Sequence, residues 1–588
     1  MSHESEKEGK YEVDTAVVSP AQEYASSQTS AEPAEAPVNE TKWQHFKNSF
    51  KPMVVEDVDP NLNDVEKSNI LSAKAPLHRD LKSRHLQMIA IGGAIGTGLF
   101  VGSGSALSSG GPAALLIAWL LTGTMIYCTV QALGELAVTF PISGSFVQYN
   151  TRFISPAWGF CMAWNYALQW LVVLPLELVA CSLTIKFWNT SVSSAAWVAI
   201  FYVAISVINM FGIRGYGEAE FIFSFCKVIA IIGFIFLGVI LDCGGGPVKG
   251  YIGGRYWHNP GAFAHGFKGV CTVFVTAAFS FAGTELCGLA AAETANPRKS
   301  LPTATKQVFW RITLFYIISL TLIGLLVPYN DPALLNGTSS VDAKASPFVI
   351  AIKNHGIKGL PSVMNAVIMI AVLSVGNSSV FGCSRSLASL AEMGMAPKSF
   401  GYIDRMGRPL IGIAVSLAFG LLCFLAASPK EGEVFNWLLA LSGLSSVFTW
   451  GSICACHLRF RYVLEHRGRN IEELAFVSQS GKLGSYWGVL MNVLILIAQF
   501  WVALFPLGGS PNAEAFFEAY LTVPVLIVFY VFYLAWKRDF TWFIKTDDID
   551  IDTGRRELDL ELVKQEVAEE KAYIASKPFY YRAYRFWC

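Results

Sequence analysis

Four charged side chains interrupt long apolar runs in this 588-residue chain: Lys227 in EFIFSFCKVIAIIGFIFL, Glu285 in VTAAFSFAGTELCGLAAAE, Glu135, and Glu177 two residues after Pro175. A charge at the centre of a bilayer costs about 3 kcal/mol even on insertion scales, so each needs a reason. Lys227 is the most isolated and Glu285 the deepest. For these two, a part in moving charge stands beside a merely structural one. Glu135 lies near the end of its run and Glu177 in a helix kinked by proline, and both read as members of buried structural ion pairs. None of the nine histidines falls in the middle of an apolar run, which argues against an intramembrane metalloprotease or haem oxidase. No GxxxxGK[ST] loop is present to cradle ATP phosphates, and no repeated pore filter is visible. A secondary transporter is the class that remains, with no metal and no catalytic residue expected.

The elements that must hold these groups are membrane spans. Hydrophobic residues make up 53% of the chain and charged residues 15%, against about 25% charged in a soluble domain. The 44 basic and 44 acidic residues balance, so no field favours nucleic acid as a partner. Continuous apolar stretches long enough for a helix to cross a bilayer are expected at 86–107, 113–138, 158–185, 193–212, 218–241, 267–292, 307–327, 359–383, 409–427, 433–456, 486–505 and 515–536. They are too long and too unbroken for barrel strands. The fold class expected is therefore an all-α polytopic membrane protein with twelve transmembrane helices. Twenty Lys and Arg residues flank the spans on the N-terminal side, Arg311 counted among them, against eight on the other. The positive-inside rule then places both termini in the cytoplasm.

The chain divides into a disordered cytoplasmic tail (1–78), the transporter domain (79–536) and a cytoplasmic C-terminal tail (537–588). Residues 1–40 are acidic and rich in Ser, Ala, Thr and Pro, a composition that buries no core. WQHFKNSF, Trp43 to Phe50, reads as an amphipathic stretch, and Glu557–Tyr573 carries apolar residues at helical spacing. No secretory signal precedes the first span. Most of the twelve cysteines, Cys128, Cys161, Cys226 and Cys287 among them, lie in apolar runs as small hydrophobes. Cys588, at the end of FWC, is either a palmitoyl acceptor or an ordinary terminal thiol.

A transport site belongs where helices break. The first span, LQMIAIGGAIGTGLFVGSGSAL, holds six glycines, each weakening a helix by about 1 kcal/mol relative to Ala. Close packing through small residues explains such glycines equally well. The sixth span is interrupted at Gly283, and interruptions at matching positions of two halves mark an inverted repeat. Unwound backbone offers N–H groups to a carboxylate and C=O groups to an ammonium, the two groups that free amino acids share.

GGAIGTGLFVGSG, GELAVTFPISGSF, NMFGIRGYGEAEF, FSFAGTELCGLAAAETANPRKS and the terminal FWC closely resemble the fungal amino-acid permeases of the amino acid–polyamine–organocation superfamily. The likeness runs from about Trp43 to Cys588 and is nearest to the general amino-acid permease branch. It implies a LeuT-type fold with spans 1–5 and 6–10 as inverted repeats. It further implies proton-coupled uptake of a broad range of L-amino acids at the plasma membrane by alternating access, with the proton as the only coupling ion and no cofactor. Carried over residue by residue, it assigns the substrate carboxylate to Gly96, Thr97 and Gly98, and the α-ammonium to the carbonyls of Ala94, Phe279 and Ala282. Thr97 replaces a serine of related bacterial exchangers. Phe279 matches an aromatic gate, although in a chain with 41 phenylalanines a packing role is the ordinary one. Lys227 matches a lysine standing where other transporters bind sodium, and Glu285 an acid implicated in proton sensing. Side-chain selection is expected to involve Ser442 to Ser446. Lys7 and Lys10 are the expected ubiquitin acceptors, with ligase and trafficking machinery as partners beside amino acids and membrane lipid, and with endosomal and vacuolar passage on down-regulation. A non-transporting amino-acid sensor of the same fold is the alternative; known sensors carry a much longer cytoplasmic extension than this tail.

Overall fold

The computed structural model describes residues 41–587 apart from 54–58, 60–61, 63, 76, 94, 189–190, 249, 336–345, 428–430 and 556–559. Ala94, Lys7, Lys10 and Cys588 therefore lie outside the described residues. The chain forms two units, 1–48 and 49–588. In the first, Trp43 stacks on Phe46 at 5.7 Å, and both rings are exposed.

The second unit is built from helices, with no strand among the described residues. Eight of these helices are long and apolar enough to cross a membrane, and a ninth forms if Ala513–Tyr520 and Thr522–Lys537, bent by 66°, are one span. The twelve expected spans are reached differently. The fourth (Ser194–Met210) and ninth (Leu410–Gly420, continued as a 3₁₀ turn to Ala427) are shorter apolar helices. The first runs on into the second through a kink at Gly111, where the stretch Ser103–Thr139 leaves helical geometry. Gly111 has φ +84°, where a side chain is strained, and Pro112 starts the next rod. The backbone of Ala262 and Ala264 seals this turn through bonds to Ala113 and Gly110.

Two helices are broken where the glycines foretold. The first span runs as Ser83–Gly92, unwinds through Ile95 and Gly96, and resumes as a π-turn at Gly98–Gly102. The sixth runs Gly266–Phe281, breaks at Ala282 and Gly283 (φ +93°), and restarts at Leu286. Each five-span half thus opens on a broken helix, the LeuT-type arrangement. Span 3 (Pro156–Ile185) stands at the centre, 94% buried over its apolar window and packed on span 8 (Leu360–Glu392) and span 10 (Glu431–His466).

Span 10 runs past its expected end at 456, so His457 and Arg461 sit on it and face inwards. There Glu135 receives Arg461 Nη2 at 2.6 Å and the Ser478 amide at 2.7 Å, with the His457 ring 3.1 Å away. Glu135 is thus the buried structural ion pair its position predicts. Glu177 is not. Its partner is a hydroxyl of the first span.

The described parts of the segments before and after the spans form regular structure that their composition does not suggest. Asp64–Ala73, within the stretch expected to be disordered, is a helix with Ser68, Asn69 and Ser72 buried. Residues 544–555 cross beneath spans 3 and 10 as a strap. Arg152, 1% exposed, donates to Asn69 Oδ1 (3.0 Å) and to the Thr553 carbonyl (2.9 Å). Arg459 and Arg467 donate to the Ile544 and Ile549 carbonyls, and Arg469 pairs with Asp552. A C-terminal helix spans Leu560–Ala575 within and just beyond the expected 557–573, of which 557–559 lie outside the described residues, and a further helix, Phe579–Trp587, follows it.

Asp550 reports on this strap. Burial alone would push its carboxyl up, but Arg152 and the amides of Thr553 and Asp552 outweigh burial and hold it below the usual range. A group depressed on folding contributes stability above its unfolded value, about 3.9 for Asp, and loses it as pH falls through the folded one. Hydrogen exchange across 544–555 is therefore expected to stay slow from neutral pH down to about 4 and to rise below that. Asp550→Asn is expected to speed exchange there several-fold at neutral pH, and unchanged exchange in that variant would remove Asp550 from the strap.

Candidate functional site

The two breaks lie against each other. A Cβ on Gly283 would stand 3.3 Å from the Gly93 carbonyl, and one on Gly98 would stand 2.6 Å from Ser280 Cα and 2.8 Å from its amide nitrogen. A Cβ on Gly96 would meet Val375 of span 8 at 2.4 Å. The glycines are thus needed for close approach as well as for unwinding. Thr97, 3% exposed, donates its hydroxyl to Glu177 Oε2, and Glu177 Oε1 has no hydrogen-bond partner among the described residues. Phe279, 7% exposed, faces span 10, where a Cβ on Gly443 would be 3.7 Å from its own Cβ. The Phe279 carbonyl already accepts the Ala282 amide at 3.1 Å. Of the six residues expected to bind substrate, Gly96, Thr97, Gly98, Phe279 and Ala282 come together at the facing breaks, and Ala94 falls outside the described residues.

The groups expected to couple transport to ion movement stand on either side. Lys227, wholly buried, donates to the Gly92 carbonyl at 2.5 Å and to Ser374 Oγ at 2.8 Å. It thereby caps the half-helix Ser83–Gly92 at its negative end. Glu220, two turns earlier on span 5, lies 3.6 Å from the ammonium and accepts Ser374 Oγ at 2.5 Å. This partner was missed in the sequence, although its spacing of seven from Lys227 puts both on one helix face. Glu285 has both oxygens engaged: Oε1 by the Tyr166 hydroxyl and the Gly283 amide, each at 3.2 Å, and Oε2 by Trp450 Nε1 at 3.1 Å. It therefore ties the second break to spans 3 and 10.

Ser446 and Ser445 bind Gln169 and Asn165 of span 3 at 2.8 and 2.5 Å, and Gln169 Oε1 remains unpaired and buried. On the side of the bundle where the N-terminal segment enters, the two broken helices are tied together. Arg385 of span 8 pairs with Glu293 at the end of span 6 (3.0 Å), and Leu81 exchanges backbone bonds with Glu293 and Ala295. A cavity of about 630 Å³ lies elsewhere, among Asn69, Met393, Lys537 and Asp548. Thr97, Phe279 and Glu285 at the breaks are buried.

The amino acid permease family model matches residues 85–545. The general amino-acid permease GAP2 of Candida albicans is 69% identical over 92% of this chain and 93% of its own. The general amino-acid permease GAP1 of Saccharomyces cerevisiae is 64% identical over 93% and 92%. The S-adenosylmethionine permease GAP4 of Candida albicans is 54% identical over 92% and 89%.

Any side chain at position 98 must drive span 1 off the Ser280 backbone. Gly98→Leu is expected to lower uptake at equal surface amounts on the order of a hundredfold, the usual result of an ångström-scale misplacement in a site. Parental uptake by that variant, with surface biotinylation unchanged, would take the carboxylate cradle away from Gly96–Gly98.

Proposed function

Because the chain belongs to the amino acid permease family, we propose that it is a proton-coupled symporter importing a broad range of free L-amino acids across the plasma membrane by alternating access. The observation that carries this reading is the contact of two interrupted helices, at Ile95–Gly96 and at Ala282–Glu285, among buried residues. The amides of Gly96–Gly98 suit a carboxylate, and the carbonyls of Ala94, Phe279 and Ala282 suit an ammonium, so selection rests on the backbone groups common to all amino acids. Phe279, beside span 10, serves as the gate over the ligand. Breadth of range follows from recognising the shared part and agrees with the naming of two relatives as general permeases.

Net accumulation of a zwitterion needs a co-transported charge. One charge crossing about 100 mV supplies roughly 2.3 kcal/mol, close to fiftyfold accumulation. Lys227 supports the proton as that charge, because its ammonium fills the space between spans 1 and 8 and satisfies the Gly92 carbonyl a metal cation would otherwise claim. Glu285 is assigned as the titrating group, since Tyr166, Trp450 and the Gly283 amide link its charge state to the second break. Both termini are assigned to the cytoplasm. There Lys7 and Lys10 receive ubiquitin from the ligase and trafficking machinery that sends the protein to endosomes and the vacuole, and Cys588 carries a palmitoyl chain. Lys7→Arg with Lys10→Arg is expected to persist at the surface when nitrogen is supplied; normal internalisation would move the signal elsewhere.

In proteoliposomes, an inward pH gradient is expected to drive accumulation of labelled amino acid without sodium. Glu285→Gln is expected to retain exchange while losing most of the roughly fiftyfold gradient-driven accumulation. Full accumulation by Glu285→Gln would place the proton on another group. Uptake that requires sodium would overturn proton coupling, and binding without any uptake would favour a sensor.

A further inference from the structure

Arg311 was expected among the cytoplasmic charges, yet it is 1% exposed and opens a π-helical stretch, Arg311–Ile318, within span 7. Such π segments inside α-helices recur at functional sites. Its guanidinium reaches two helices at once: Nη1 donates to the Ala90 carbonyl at 2.5 Å and Nη2 to the Thr284 hydroxyl. Ala90 lies in the last turn of the half-helix before the first break, and Thr284 lies inside the second break. Among the described residues Arg311 has no ion-pair partner, and its Nε is unpaired. Glu285, one residue from Thr284, is turned towards Tyr166 and Trp450 instead. A buried cation without a carboxylate is costly to keep, so packing alone does not account for it. A planar fork with fixed donors accounts for it better, since a single lysine ammonium cannot hold two separate helices in register. One turn further along the π segment, the Tyr316 hydroxyl donates to the Ser280 carbonyl at 2.7 Å, and Ser280 is the residue packed on Gly98.

We infer that Arg311 is a positioning residue for transport, clamping the first half-helix to the second break so that the carboxylate cradle and the ammonium carbonyls meet one ligand in register. The inference rests on the amino-acid reading of the site and assigns Arg311 no contact with substrate.

The test uses the full chain, comparing Thr284→Val, Thr284→Ser, Arg311→Lys and the double variant Arg311→Lys with Thr284→Val. Uptake of labelled leucine is measured per surface molecule. Thr284→Val is expected to raise KM about five- to tenfold, the loss of one charge-assisted hydrogen bond, with Vmax within about twofold. Thr284→Ser keeps the hydroxyl and is expected to keep the parental KM. The double variant is expected to match Arg311→Lys alone, because both remove one interaction. Unchanged KM with falling Vmax, or multiplying effects in the double variant, would overturn the clamp. Hydrogen exchange without ligand separates this from the transport assignment. Thr284→Val is expected to loosen residues 89–98 and 282–288 together, whereas loosening confined to span 7 would overturn the clamp even in a protein that carries no leucine.

Discussion

Everything at the centre of this molecule depends on how the end of one half-helix is satisfied where water is absent. Span 1 breaks after Ser83–Gly92 inside the bundle, where in a bilayer every backbone carbonyl of the last turn must find its partners within the protein. The Gly92 carbonyl accepts the Ile95 amide at 3.0 Å and has room for a second donor. Two buried cations from different spans reach this turn: Lys227 at the Gly92 carbonyl and Arg311 at the Ala90 carbonyl. Both stand at the negative end of a short helix, where positive charge is favoured. The break is therefore a built feature, held open by charges that would otherwise have no place in the membrane.

The two cations are balanced differently. Lys227 has Glu220 close by, with Ser374 bridging the pair. Arg311 has only neutral partners, a carbonyl and a hydroxyl. Glu177 is the mirror case, an acid whose one bonded oxygen receives the Thr97 hydroxyl and whose other oxygen is bare. An ion pair placed for stability alone would satisfy all its atoms, as the amide, guanidinium and imidazole around Glu135 nearly do. Glu177 and Arg311, whose partners lie at the two breaks, are each left with one unpaired polar atom among the described residues. Incomplete pairing there suits a site which must rearrange, because fully satisfied networks rigidify the elements they join.

Much of this was legible in the chain. The helical polytopic class, the two glycine-rich interruptions and the burial of Lys227 and Glu285 all follow from apolar run length and the cost of buried charge. Glu135 likewise took the role its position suggested. What escaped was pairing across helices. Arg311 and Glu177 each have a meaning set by a residue on a different span, 221 and 80 positions away, which no local pattern encodes. Glu220 faces Lys227 on the same helix at a spacing that many unpaired residues share. Arg311 in particular reads as a flanking charge in the sequence, because π-helical winding and an inward-facing side chain leave no mark on composition. Span 10 was cut short at 456 because His457, Arg459 and Arg461 look like a cytoplasmic boundary, whereas two of them face Glu135 inside the bundle. The ordered strap at 544–555 was missed because its bonds are made by arginines of other segments to backbone carbonyls.

The most direct measurement of the account is a high-resolution map of the protein with an amino acid bound. The paired breaks require the ligand between them, its carboxylate within about 2.7–3.2 Å of amides in Gly96–Gly98 and its ammonium at similar distance from the carbonyls of Phe279 or Ala282. Lys227 should still reach Gly92 when the ligand is seated. Density instead in the cavity beside Asn69 and Asp548, with the breaks empty and still in contact, would contradict the account at its centre.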